Sequence, residues 1–351
     1  MAKVLMKGNE AVAKAAIEAG CKFFAGYPIT PQNEIPEYLS RELPKVGGTF
    51  VQAESEVAAI NMVYGASAGG MRAMTSSSSP GIALKQEGLG YITRAGLPAV
   101  VVNMMRGGPG LGTIQPSQQD YNMCVKGGSN GDYHHIVLAP ASIQECVDMV
   151  MEGFDLADLY GTPVIILADG LIGQMMEPVE FKKPAPRNLP AKDWALTGNK
   201  GKKHSIDNVE FDQYIFEKEV VGGLFDKYAK IEENEKKYED YMMDDAEYAF
   251  VAYGTASRIC KNAIAELRAQ GYKIGLIRPQ TLWPFPDEAF ENRPNIKKFI
   301  DIEFSMGQMV KDVQLACGDK NKVKFHGRCG GVIIGTDEVV DFAKSVMGGA
   351  K

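Results

Sequence analysis

The feature that most constrains this chain is a repeated hand-over. Short, almost wholly apolar runs end in polar or glycine-rich loops, and a helical pattern follows each one. Residues 22–25, 50–51, 72–75, 98–104, 135–138 and 164–167 are such runs, with a first one at 3–6. They do not alternate apolar with polar. A strand that is apolar on both sides must be covered on both faces, so the pattern predicts a parallel sheet between helices. In such sheets ligands sit beyond the carboxyl ends of the strands. The unusual loops at 27–31, 54–56, 75–81 and 106–119 all fall at those ends, and the β→α order predicts that they meet along one edge.

Within this frame, residues 50–70 stand out. Phe50 and Val51 end a strand, and Val57, Ile60, Val63 and Tyr64 recur at helical spacing from Ser55 onward. Glu54 and Glu56 lie at the junction. A carboxylate there is near the positive end of the helix and can be fixed by main-chain N–H groups. That is a place to hold one acid rigidly against a cofactor; the plainer alternative is a capped helix with two solvated acids. Arg106 follows a mostly apolar strand. It is either half of an ion pair or a carboxylate clamp, because its planar fork matches two oxygens at once.

Several other chemistries fit poorly. The loop Gly107-Gly108-Pro109-Gly110-Leu111-Gly112 departs from G-x-G-x-x-G, contains a proline and is followed by no suitably placed acid, which argues against a nicotinamide site. The serine run 76–79 lacks the G-x-S-x-G of a hydrolase and reads as polar lining at a strand end. A net charge of −6 with no basic face argues against nucleic acid. No apolar stretch is long enough for a membrane helix, and no secretory signal is evident, so a cytoplasmic location is expected. Six cysteines are scattered without a Cys-x-x-Cys pair, so no zinc or iron–sulfur site is expected within the chain. Only Cys329, beside His326 in HGRCGG, has a setting that suggests function.

A length of 351 residues suggests two domains. The strand–helix pattern stops near residue 178 and resumes near 247. The expected organisation is a first domain over 1–244, with a compact core at 1–179 and a connecting segment at 180–244, and a second over 245–351. Both are read as doubly wound, largely parallel-sheet α/β domains. Within the connector, 226–245 reads as a solvated charged helix. Pro31 is expected to open a helix, and Ser142 with Glu145 to form a capping box.

Taken together, GYPITP at 26–31, the AESE run ending in Glu56, TSSSSPG at 75–81, NMMRGGPGLGT at 103–113 and QPSQQD at 115–120 resemble the 2-oxoacid:ferredoxin oxidoreductase family. The subunit resembled is the α-type one, with a pyrimidine-side domain. RPQTLWPFP at 278–286 resembles the family's transketolase C-terminal-like domain. The resemblance implies thiamine diphosphate with Mg²⁺, shared with a partner subunit. It implies that Glu56 bonds the aminopyrimidine ring and favours the tautomer that takes the thiazolium proton. It also implies that Thr30 and Arg106 bind the oxoacid, and that Tyr27, Pro28, Ile29, Ser78 and Gln86 help to hold the cofactor.

The Gly-Asp-Gly…Asn segment that binds diphosphate and metal has only Ala168-Asp169-Gly170 as a counterpart here. That half is expected on a diphosphate-binding partner chain, with iron–sulfur clusters on other, ferredoxin-like subunits, alongside a γ-type subunit. The implied reaction is coenzyme A-dependent oxidative decarboxylation of a 2-oxoacid, with ferredoxin reduced. The 2-oxoisovalerate type is favoured over the 2-oxoglutarate type, which would need a second cation; Lys85 is a weak candidate for it. A non-catalytic scaffold subunit of the same fold is the rival from another class.

Overall fold

The computed structural model describes residues 3–198 and 205–348. Its strands, in chain order, are β1 (Val4–Lys7), β2 (Phe23–Gly26), β3 (Thr49–Gln52), β4 (Ala73–Ser77), β5 (Ala99–Met105), β6 (Ile136–Leu138) and β7 (Pro163–Asp169). There follow β8 (Met176–Val179), β9 (Tyr238–Tyr241), β10 (Tyr248–Val251), β11 (Ile274–Pro279), β12 (Thr281–Trp283), β13 (Lys298–Glu303) and β14 (Val323–Gly327).

A seven-stranded sheet has the order β12-β6-β7-β5-β4-β2-β3 and is parallel throughout except for β12. A five-stranded sheet has the order β14-β13-β10-β11-β9 and is parallel except for β9. Every residue of β4, β5 and β7 is buried, as their lack of alternation requires. The helices Glu56–Ala68 and Ser79–Arg94, which flank β4, pack against each other.

Four expectations need correction. The first strand leaves the main sheet and pairs antiparallel with β8, because a four-residue apolar run does not specify its partner. Pro31 does not open a helix: it lies in a turn, and the helix starts at Glu34. The Pro31 carbonyl is taken by the side chains of Asn9 and Gln174 at 2.7 and 2.8 Å. The charged connector helix ends at Asn234, buries Tyr228 and Ile231, and gives way to β9 on the edge of the second sheet. The capping box is half formed. Ser142 Oγ accepts from Glu145 N, but the Glu145 carboxylate accepts from Ala141 N and from Arg278.

The two sheets also trade strands across residue 244. β9, upstream of it, belongs to the second sheet, and β12, downstream, extends the first. The larger apolar cluster accordingly runs from the first sheet to Leu282, Trp283, Phe290, Phe299 and Met309. Arg278, 2% exposed, bonds Glu145 at 2.7 and 2.9 Å and Glu239 at 2.6 Å, tying β11 to both units.

Candidate active site at the strand ends of the larger sheet

The turn from β3 into the helix Glu56–Ala68 separates the two candidate acids. Ser55 is extended, and its hydroxyl accepts from Ala58 N at 3.1 Å, which starts the helix at Glu56. Glu54 is left exposed, whereas Glu56 is 7% exposed. The Glu56 carboxylate makes no hydrogen bond to any described residue. A buried acid normally finds a partner, so one held free of protein partners is poised for something else.

The next strand–helix turn supplies the facing wall. Gly81, in the first turn of the helix Ser79–Arg94, has no side chain because none would fit. A Cβ there would lie 2.0 Å from Ser77 Oγ and 2.7 Å from Glu56 Oε1. One turn on, the fully buried Lys85 donates to the Glu56 carbonyl at 3.2 Å. A further turn on, a Cβ on Gly88 would lie 2.6 Å from Ile60 Cγ2. The two helices thus run in close contact along one line.

Ser79, at the start of the same helix, fastens the Arg106 loop. Its hydroxyl accepts from Arg106 N at 2.9 Å and donates to Asp120 Oδ2 at 2.6 Å. Asn103 also donates to that oxygen, at 2.9 Å. Burial pushes the Asp120 carboxyl up, while the bonds from Ser79 and Asn103 and the charge of Arg106 pull the other way.

Arg106 is 7% exposed and has no carboxylate partner among the described residues. Its guanidinium is held by two carbonyls, Thr30 O at 2.8 Å and Leu111 O at 3.1 Å, and its Nε is buried without a partner. Of the two sequence readings, the ion pair is therefore absent, and the fork is fixed by neutral acceptors. Gly81 and Ser79 lie two residues apart, so Glu56 and the Arg106 loop flank one helical turn.

The loop 27–31 completes the edge. Tyr27, Pro28 and Thr30 are exposed and Ile29 is half-buried. The turn from β4 into the helix Ser79–Arg94, with that helix, holds buried polar atoms without partners: Thr75 Oγ1, Ser77 Oγ, Ser78 Oγ and Gln86 Oε1. Lys85 is not beside the Arg106 fork's partners; its ammonium is bonded to the main chain of Glu56. Cys329 is exposed, in the loop whose Gly330 and Gly331 abut Gly107, Thr113 and Gln115. Ser79, Gly81 and Asp120 escaped the sequence reading although each lies inside a noted motif. Nothing local distinguishes Ser79 from the three serines before it. Asp169 caps a helix with one oxygen, Oδ1 accepting from Leu171 N and Ile172 N at 3.0 and 3.2 Å, while its Oδ2 is buried without a partner.

Comparison with known proteins gives this edge a context. Residues 14–246 match the family model described as pyruvate flavodoxin/ferredoxin oxidoreductase, thiamine diphosphate-binding, and 246–339 match pyruvate:ferredoxin oxidoreductase core domain II. The chain belongs to the 2-oxoacid:ferredoxin oxidoreductase family. It is 48% identical over 349 residues to ketoisovalerate oxidoreductase subunit VorB of Methanothermobacter thermautotrophicus, covering 99% of each chain. It is 37% identical to 2-oxoglutarate synthase subunit KorA of Methanocaldococcus jannaschii, covering 95% of this chain and 97% of that one. Among solved structures, it superposes with a TM-score of 0.88 and 28% identity on the 2-oxoglutarate:ferredoxin oxidoreductase from Magnetococcus marinus, which has 2-oxoglutarate, coenzyme A and succinyl-CoA bound. That match covers 98% of this chain and 65% of the other, so this chain spans about two thirds of that relative's length. A split-gene transketolase, at a TM-score of 0.60 and 13% identity, shares the fold alone.

Proposed function

We propose that this chain is the α-type subunit of a coenzyme A-dependent 2-oxoacid:ferredoxin oxidoreductase, supplying the pyrimidine half of a thiamine diphosphate site and the clamp for the oxoacid. The carboxylate of Glu56, on a buried side chain yet without a hydrogen-bond partner among the described residues, is the observation that carries this. It offers acceptor oxygens to a protonated ring nitrogen. Ser78 Oγ and Gln86 Oε1, also buried and unpartnered, match a heterocycle that presents both donors and acceptors. Glu56, Ser78 and Gln86, with the loop of Tyr27, Pro28 and Ile29, would hold that ring.

Thiamine diphosphate, when bound, supplies the nucleophilic carbon and the electron sink that decarboxylation of an oxoacid needs. The residues of this chain do the rest by position. Glu56 holds a proton at the ring nitrogen and so sets the tautomer. Arg106, pinned by Thr30 O and Leu111 O, points a prearranged fork at the substrate carboxylate. The Thr30 hydroxyl, exposed and free, donates to the oxoacid. Because the carboxylate loses its charge as carbon dioxide leaves, a clamp that over-stabilised it would slow the step.

A 2-oxoisovalerate-type substrate is favoured. The relatives at 48% identity are named for it, those named for 2-oxoglutarate stand at 37% and below, and Lys85 is engaged by the Glu56 main chain rather than free to receive a second carboxylate. The diphosphate and Mg²⁺ fall to a partner subunit, since Ala168-Asp169-Gly170 lacks the later Asn of the diphosphate-binding segment. Iron–sulfur clusters fall to other, ferredoxin-like subunits of the complex. The free cysteines suit a reducing cytoplasm. Glu56→Gln in the assembled complex tests the assignment. Oxoacid decarboxylation should fall about 100-fold or more with assembly intact. Unchanged turnover would leave a scaffold subunit as the answer, and a panel of oxoacids against the wild-type complex decides the substrate.

A further inference from the structure

The Ser79 hydroxyl stands where three elements meet, and none of its bonds serves its own helix. The helix Ser79–Arg94 begins without a side-chain cap bond. The buried Ser79 side chain accepts instead from Arg106 N at 2.9 Å. A hydroxyl has one proton to give, and two acceptors are in reach: Asp120 Oδ2 at 2.6 Å and Arg106 O at 3.0 Å. The shorter contact, to the carboxyl oxygen, takes it. With the proton committed there, a lone pair remains for Arg106 N. Asn103, fully buried on β5, steadies the same Asp120 oxygen by donating to it at 2.9 Å.

Arg106 and Asp120 are the two feet of one loop. Inside it, Gly107 N donates to Gln115 O at 3.0 Å and Thr113 N to Gly107 O at 2.9 Å, so the loop is closed on itself. Ser79 joins both feet through one hydroxyl. The helix it starts is the one whose Gly81, two residues on, abuts the Glu56 carboxylate. The clasp therefore ties the loop that carries the guanidinium to the turn that faces the acid. A buried acid is a costly way to fill space, and what it adds here is direction.

We propose that Ser79 and Asp120 are positioning residues for oxoacid binding: Asp120 orients the Ser79 hydroxyl, and that hydroxyl sets where the Arg106 backbone stands relative to the turn that faces Glu56. This rests on the role proposed above for Arg106. The fork is pinned at its tip by Thr30 O and Leu111 O, so a shifted backbone turns the fork about those two contacts and spoils its match to a carboxylate. A displacement of about 1 Å is enough to cost up to about 100-fold. Both residues act through Arg106.

The test uses the assembled complex, with steady-state oxidation of 2-oxoisovalerate and, separately, thiamine diphosphate binding by titration calorimetry. Ser79→Ala removes the hydroxyl and leaves a good helix former. It should raise KM for the oxoacid about 10-fold, with kcat within about threefold and thiamine diphosphate affinity unchanged. Ser79→Thr, which keeps the hydroxyl, should return KM to within about twofold of wild type. Asp120→Asn keeps an acceptor for Ser79 and Asn103 but a weaker one, and should raise KM less than Ser79→Ala does. In an Arg106→Lys background, Ser79→Ala should add less than about twofold, because the two act on one contact.

An unmoved KM in Ser79→Ala overturns the proposal. So do equal losses in KM, kcat and cofactor affinity, which mean a structural role only, and full additivity with Arg106→Lys. A larger rise in Asp120→Asn than in Ser79→Ala also overturns the relay. Arg106→Lys separates the two layers: a wild-type KM there overturns the Arg106 reading itself, whereas a raised KM there beside a wild-type KM in Ser79→Ala removes the Ser79–Asp120 role alone. Gel filtration reports assembly, and if Ser79→Thr does not assemble, the Asp120→Asn comparison and the double variant decide.

Discussion

At the scale of single residues, this edge keeps polar groups in states that a purely structural core would not. Lys85 is the sharpest case. Burial lowers its pKa from the ordinary 10.5 to about 8. The unfolded chain therefore binds more protons between those values, and stability should rise as pH climbs from about 8 to 10.5. Below pH 8 the cost is present in full, about 3 kcal/mol by the size of the shift. Lys85→Met should thus melt higher than wild type at pH 7. Thermal denaturation at pH 7 checks it, and a lower melting temperature would show that the ammonium stabilises the fold instead. Arg106 makes the complementary point. Arg106→Lys keeps the charge but loses the fork, and should raise KM for the oxoacid about 10- to 100-fold while leaving thiamine diphosphate affinity unchanged. Equal losses in both would contradict a substrate role. Of these residues, the sequence singled out Glu56 and Arg106 because each stands against an apolar strand end. Pattern alone did not separate Glu56 from Glu54, and the family resemblance chose Glu56; in the structure the Ser55 cap decides which of them turns inward. Asp120 and Ser79 were invisible because their bonds join residues 41 apart.

At the scale of elements, the close line between the helices Glu56–Ala68 and Ser79–Arg94 is what brings the acid to the serine turn. Gly81→Ala puts a methyl group onto Ser77 Oγ and Glu56 Oε1. The backbone gains helix propensity of about 0.5–1 kcal/mol, while the overpacking costs about 1–3 kcal/mol, so stability should fall slightly and the Glu56 side chain should be displaced. Cofactor affinity should drop far more than the melting temperature does, which calorimetry on the complex can separate. A variant with wild-type affinity would mean that the Glu56 carboxylate is not where the ring binds. Parallel strands such as β5 and β7 were readable because full burial demands unbroken apolar runs. β1 was read as a strand but not with its partner, and β9 and β12 were not read as strands. They are three or four residues long and antiparallel, and their partners are chosen by tertiary packing rather than by their own pattern.

At the scale of the whole molecule, the candidate site depends on a joint that no local pattern announces. Gln118 is fully buried between the two units. Its Nε2 donates to Tyr253 O and its Oε1 accepts from Phe304 N, both at 2.9 Å, and its own N–H donates to Phe304 O at 2.9 Å. Its neighbours carry that constraint into the Arg106 loop: Ser117 and Gly108 N both bond Gln119 Oε1, at 3.0 and 3.2 Å. Two distant strand ends therefore fix the loop that presents Leu111 O to the Arg106 fork. Gln118→Leu fills the space but strands the Tyr253 carbonyl and the Phe304 N–H in a dry interface, at a cost of about 2–4 kcal/mol. The melting temperature should fall, and KM for the oxoacid should rise, because the loop loses its tether to the second unit. Thiamine diphosphate binding should change little, since Glu56 is held by the two helices and not by this joint. The ratio of the two effects is the informative quantity. If cofactor affinity fell as far as oxoacid affinity, the joint would be supporting the whole edge rather than the Arg106 loop, and the division of the site into a helix-held acid and a loop-held clamp would fail.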